Sequence, residues 1–116
     1  MELTATSRDG SAVVAPAGRI DHASAEAFAA ALQPHLERCK AGEPPLIIDM
    51  GAVDYISSVG LRVFMVGAKQ AEAQSGRIAI AGLTPMVREV FEISRFDLLY
   101  RIFDSVEQAL AAGAEE

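Results

Sequence analysis

Residues 45–81 read PLIIDMGAVDYISSVGLRVFMVGAKQAEAQSGRIAIA, and their order decides the fold. Pro45–Met50 is a short apolar run with Asp49 near its end, the look of a strand covered on both faces. Val59–Ser75 repeats its apolar residues at helical spacing, and Arg77–Ala81 is another short strand closed by Gly82. A strand, a helix and a strand in succession form the unit of a parallel sheet.

The flanks extend the alternation. Leu3–Ser7 and Ala12–Ala17 are strand-like runs joined by the turn Arg8-Asp9-Gly10-Ser11. Pro16 cannot donate to a ladder, so the second run is expected to have an open edge or a bulge near its end. Over Ser24–Lys40 the residues Phe28, Leu32, Leu36 and Cys39 recur at spacings of three and four, with Pro34 expected to kink the helix. Downstream, Thr84-Pro85 opens a helix with a capping hydroxyl and a proline at its first position. Leu99–Phe103 reads as a last strand, and Asp104 with Glu107 forms a capping box for a final helix to about Ala112. Residues 113–116 read as a frayed tail. The prediction is a single α/β domain over residues 1–116: a mixed, largely parallel sheet of about four to five strands with about four covering helices.

Composition narrows the function. A chain of 116 residues supports one core. Hydrophobic residues make up 51%, but 21 are alanines, so the large core-forming set is smaller than that fraction suggests. The 22% charged fraction excludes wholesale disorder. A net charge of −6 repels phosphate backbones and anionic lipid, which argues against nucleic acid and membrane surfaces as partners. The single cysteine, Cys39, cannot form an internal disulfide. The start, Met1-Glu2-Leu3-Thr4, lacks the pattern of a signal peptide, and no apolar run approaches the roughly 18 residues of a membrane span, so a cytoplasmic location is expected.

The chemistry gathers at Tyr55-Ile56-Ser57-Ser58-Val59-Gly60-Leu61. One of two adjacent serines at a helix start serves as N-cap. The second hydroxyl is a candidate phosphorylation acceptor, because a helix N-terminus offers unpaired N–H groups and the positive end of a dipole. Gly60, having no Cβ, is read as leaving room for another protein's backbone to approach. Along the helix, Leu61, Phe64, Ala68, Ala71 and Ser75 form the expected core face. Val59, Val63 and Val66 fall opposite, flanked by Arg62, Lys69 and Gln70. Either a neighbouring helix covers that stripe or it is a partner surface, in which case a phosphate beside it would penalise binding.

Together with Gly18-Arg19-Ile20-Asp21 before the first helix, Ile56-Ser57-Ser58-Val59-Gly60-Leu61 resembles the STAS family, and more closely the bacterial anti-sigma factor antagonists, over essentially the whole chain. The resemblance implies an interaction switch rather than an enzyme. The unphosphorylated form would bind an anti-sigma factor that is also an ATP-dependent serine kinase, freeing a sigma factor. The kinase would inactivate the antagonist by phosphorylation, and a PPM-type phosphatase would restore it. By position, Ser58 matches the phosphoserine, Asp21 an acidic residue near it, and Asp49 the polar residue ending the central strand. Ser57 stands where the family has aspartate, which makes it a competing acceptor, and Val59 replaces a small or hydroxylated residue. Asp21 has an equally plain reading as a dipole partner at a helix start. The rival role is a constitutive STAS subunit of a larger signalling or transporter-associated complex, in which the serines only cap.

Other constellations carry less. His35 and Cys39 stand at i and i+4 with His22 as the only third ligand, which does not argue for a metal. The chain lacks Gly-x-Ser-x-Gly for a Ser58–His22 triad, and its scattered glycines form no phosphate loop. No cofactor is therefore expected, and the oligomeric expectation is a monomer or weak dimer.

Overall fold

Asp9 (φ 53°) and Gly10 (φ 84°) both adopt left-handed backbone, the pairing that a tight hairpin turn needs. They fold β1 (Glu2–Arg8) antiparallel onto β2 (Ser11–Ile20). The chain then alternates through α1 (Ala25–Glu37), β3 (Leu46–Asp49), β4 (Val53–Ile56), α2 (Ser58–Ala73), β5 (Ile78–Ala81), α3 (Pro85–Ile93), a 3₁₀ turn (Phe96–Leu98), β6 (Arg101–Phe103) and α4 (Val106–Ala114). The computed structural model describes residues 1–114.

The fold is a single α/β domain whose six-stranded sheet runs β1-β2-β3-β5-β6, with β4 paired to β2. Every pairing after the hairpin is parallel. Successive strand residues serve opposite faces, as the two-residue pleat requires. Val14, Ile48 and Ile80 join the large cluster under α1, α2 and α3, while Val13, Ile47, Ala79 and Ala81 meet Val106 and Ala109 of α4. Phe64 of α2 centres the large cluster, its ring 5.3 Å from Phe28, 5.4 Å from Phe91 and 6.2 Å from Tyr100. The Tyr100 hydroxyl donates to the Phe64 carbonyl, and burial pushes that phenol far above its usual pKa.

Several local expectations shift. β4 is a strand that sequence periodicity leaves unassigned: its buried residues, Val53 and Ile56, are three apart, with exposed Asp54 and half-buried Tyr55 between them. β2 continues through Pro16, and its ladder breaks between Gly18 and Arg19, where Gly18 has φ 92°. The buried line of α2 is Gly60, Phe64, Gly67 and Ala71, and Ser75 lies beyond the helix in left-handed backbone. The Thr84 hydroxyl does not cap α3; it donates to the Val53 carbonyl at 3.0 Å and ties α3 to β4. At α4 the capping pattern sits one residue later: Ser105 Oγ accepts from the Gln108 amide and the Gln108 side chain from the Asp104 amide. Asp104 and Glu107 instead pair with Arg88 and Arg8, both at 3.1 Å. α4 extends through Gly113 and Ala114, so of the tail expected to fray only Glu115 and Glu116 lie outside the described residues.

Candidate functional site

The site is the junction of the ends of β2 and β4 with the start of α2. Ser57 is held by its neighbours: its amide donates to the Ile20 carbonyl at 2.9 Å, and its Oγ accepts from the Gly60 amide at 3.2 Å. Extended backbone at Ser57 (φ −92°, ψ 172°) aims the hydroxyl at that amide, as an N-cap must. Ser58 is the first residue of the helix and is exposed. Its hydroxyl makes no hydrogen bond among the described residues. The amides of Ser58 and Val59, in the opening turn, have no acceptor within the helix. The two serines are therefore chemically distinct: Ser57 completes the helix end, and Ser58 presents a free hydroxyl beside unsatisfied donors.

Gly60 works inward. A Cβ there would lie 2.7 Å from Ile20 Cγ2, 2.9 Å from the Ile20 carbonyl oxygen and 3.0 Å from Ile56 Cγ1. The missing side chain lets α2 seat on the end of β2. It does not open room for a partner's backbone, as the sequence suggested.

Asp21 caps the turn into α1. Its Oδ1 accepts from the Ala23 and Ser24 amides, both at 3.1 Å, and lies 3.2 Å from the Ser24 hydroxyl oxygen. The Ser24 amide bond, with the other local donors and Arg19, outweighs desolvation and holds the carboxyl below its ordinary value of 3.8. Ser24 itself makes no side-chain cap; its hydroxyl donates to the Arg19 carbonyl at 2.7 Å.

Arg19, quoted from the sequence only as part of the Gly18–Asp21 motif and given no role there, joins the site in the structure. Its Nε lies 3.5 Å from Asp21 Oδ2, and its guanidinium stacks 4.1 Å from the centre of the Tyr55 ring. Arg19 and Tyr55 are register partners between β2 and β4, and the break at Gly18 lies just before Arg19. The signal was the glycine before the arginine, but only the pairing with β4 gives it meaning.

Asp49 sits elsewhere in the hydrogen-bond network. Its Oδ1 accepts from the Gly51 amide at 3.0 Å, a bond that shapes the turn from β3 to β4, and it makes no hydrogen bond to Ser57 or Ser58.

The stripe of α2 is partly covered. Val63 is half-buried against the core, whereas Val59 and Val66 remain 39% and 56% exposed. With Arg62 they line a groove of about 400 Å³ between α1 and α2, to which α1 contributes Ala25, Ala29 and Leu36. A second groove of about 640 Å³ runs along α2 from Ser58 past Met65 to Lys69, with Ser94 and Phe96 also lining it. Met65, 41% exposed, widens the apolar surface beyond the valine stripe. Among the described residues no His, Cys, Asp and Glu side chains gather as a metal site, and Cys39 is buried with its thiol donating to the Arg77 carbonyl. No described helix is long and apolar enough to cross a membrane.

The STAS domain model matches residues 2–109. BtrV of Bordetella bronchiseptica, provisionally named an anti-sigma factor antagonist, is 39% identical over 112 residues, covering 97% of this chain and 94% of BtrV. The anti-sigma-F factor antagonist RsfB of Mycobacterium tuberculosis is 28% identical over 109 residues, covering 93% and 85%. The crystal structure of an anti-sigma factor antagonist from Mycobacterium paratuberculosis superposes with a TM-score of 0.85 at 24% identity, covering 97% of this chain and 93% of that one.

Proposed function

Because this chain belongs to the STAS domain family, we propose that it is an anti-sigma factor antagonist switched by phosphorylation of Ser58. In the unphosphorylated form it binds an anti-sigma factor that is also an ATP-dependent serine kinase, and the sigma factor is released. Phosphorylation ends the interaction, and a PPM-type phosphatase restores it. The chain acts as a binding module, and the chemistry belongs to its partners.

The observation that carries this reading is the division of labour between the two serines. Ser57 spends its hydroxyl on the Gly60 amide, while Ser58 is exposed with its hydroxyl free. A phosphate on Ser58 would meet the positive end of α2 and its unpaired amides, so the fold accepts the modification without rearrangement. It would also place about −1.5 to −2 charges at the rim of the apolar surface of Val59, Val63, Val66 and Arg62. The proposed partner covers that surface, and a charge at its edge penalises docking by repulsion and desolvation. Ser57 and Gly60 set the position of the acceptor by seating the start of α2 on Ile20 at the end of β2, and Asp21 shapes the turn that follows into α1. Asp49 contributes only through the β3–β4 turn.

The test is a binding titration against the kinase captured from native cells by the unphosphorylated chain. Ser58→Ala is expected to bind as tightly as wild type while accepting no phosphate, and Ser58→Asp to bind at least tenfold more weakly, about 1.4 kcal/mol. Equal binding by Ser58→Asp contradicts the charge switch. A stable complex indifferent to ATP points to the constitutive subunit instead.

A further inference from the structure

The main path of the sheet ends in two edges, β1 and β6, while β4 lies off that path against β2 beside the start of α2. β6 is three residues long and opens on Arg101, and short, charged edges resist pairing with other chains. β1 lacks such protection. It is seven residues long, has no proline or lysine, and pairs with β2 in unbroken register from Glu2↔Ala17 to Arg8↔Ser11. Its middle, Thr4-Ala5-Thr6-Ser7, is uncharged and exposed, and its outer edge has no neighbouring strand among the described residues. The charges stand at its ends, Glu2 at the start and Arg8 at the finish.

We propose that β1 is a self-association edge, pairing antiparallel with β1 of a second copy about a two-fold axis at Ala5. In that register Glu2 of each copy lies opposite Arg8 of the other, Leu3 opposite Ser7, and Thr4 opposite Thr6. Both ends gain an opposite-charge pair, and the interface is isologous, as a two-fold dimer requires. The faces agree as well: Thr6 pairs with Val13, which belongs to the cluster under α4, so Glu2, Thr4, Thr6 and Arg8 share that side of the sheet. Centring the axis on Thr4 or Thr6 moves Glu2 away from Arg8 and loses both pairs. Arg8 already lies 3.1 Å from Glu107 of its own α4, but its side chain is 45% exposed and its five N–H donors can serve a second carboxylate. The net charge of −6 on each copy opposes association and keeps the dimer weak. This inference is independent of the phosphorylation switch.

Sedimentation velocity up to millimolar concentration tests it on the unphosphorylated chain. Wild type is expected to dimerise reversibly, Glu2→Arg and Arg8→Glu each to weaken the dimer about tenfold, and the double exchange Glu2→Arg/Arg8→Glu to restore it. Glu2→Arg leaves the Arg8–Glu107 pair intact, so its effect is read free of that contact. Oxidative cross-linking reads the register separately: Ala5→Cys on the axis joins to its own copy, whereas Thr4→Cys, facing Thr6, does not. Cys39 is buried and adds no background. A wild type that stays monomeric overturns the proposal, as does a double exchange no tighter than its single parents. Cross-linking of Thr4→Cys as readily as Ala5→Cys does the same.

Discussion

Ser57 and Ser58 are adjacent and the same residue type, yet opposite in their bonding. Ser57 Oγ gives the Gly60 amide its acceptor, and without it that donor is left unsatisfied near the core. Ser57→Ala should therefore cost about 1 kcal/mol of stability. Ser58→Ala removes an exposed hydroxyl with no partner and should change stability by less than about 0.5 kcal/mol. Urea unfolding of both variants checks the assignment; equal losses would mean that the caps have been misassigned. The sequence told a reader that one serine caps and the other is free to react. Which one does which depends on the backbone angle at Ser57, fixed by its bond to Ile20 across the chain. Gly60 was legible as unusual, but its reason, close contact with Ile20, lies forty positions away in sequence and carries no local signature.

At the scale of elements, α2 keeps Phe64 and Ala71 of the core face that periodicity suggests, but completes its buried line with Gly60 and Gly67, leaving Leu61 and Ala68 partly buried beside it. Gly60 and Gly67 take buried positions, and glycines add nothing to a hydrophobic pattern. Val63 is partly buried against the core, and the apolar side chains left exposed along α2 are Val59, Met65 and Val66, beside Arg62. Val66→Asp is expected to leave the unfolding midpoint almost unchanged while weakening kinase binding about tenfold, measured by titration of both proteins. Unaltered binding would remove this face of α2 from the interface.

The start of α1 yields a pH dependence. Local hydrogen bonds depress the Asp21 carboxyl, so its stabilising contribution is complete above its unfolded value of 3.8 and is lost as pH falls through the lower folded value. Asn caps as well as Asp but does not titrate. The stability of wild type relative to Asp21→Asn should therefore fall as the pH is lowered below 3.8. Denaturant unfolding at matched acidic and neutral pH checks it, and a constant difference would contradict the assignment.

For the molecule as a whole, the alternation of strands and helices was legible because each long helix and buried strand carries its own period. The faces of the sheet divide as that alternation demands, with three helices over the large cluster and α4 over the small one. β4 escaped because a four-residue strand with two buried side chains has too little pattern, and its identity comes from pairing with β2. Arg19 escaped for the same reason: its contacts with Tyr55 and Asp21 exist only once β2 and β4 are side by side. The parts of the site that periodicity and capping chemistry describe were readable. The parts made by chain crossings were not.

The central claim is that this fold presents one free hydroxyl for phosphorylation and keeps its neighbour for structure. The most direct measurement is intact mass and phosphosite mapping of the chain isolated from its native cells, with and without phosphatase treatment. The account predicts a single phosphate on Ser58 that phosphatase removes. A phosphate on Ser57, or none under any growth condition, would contradict it.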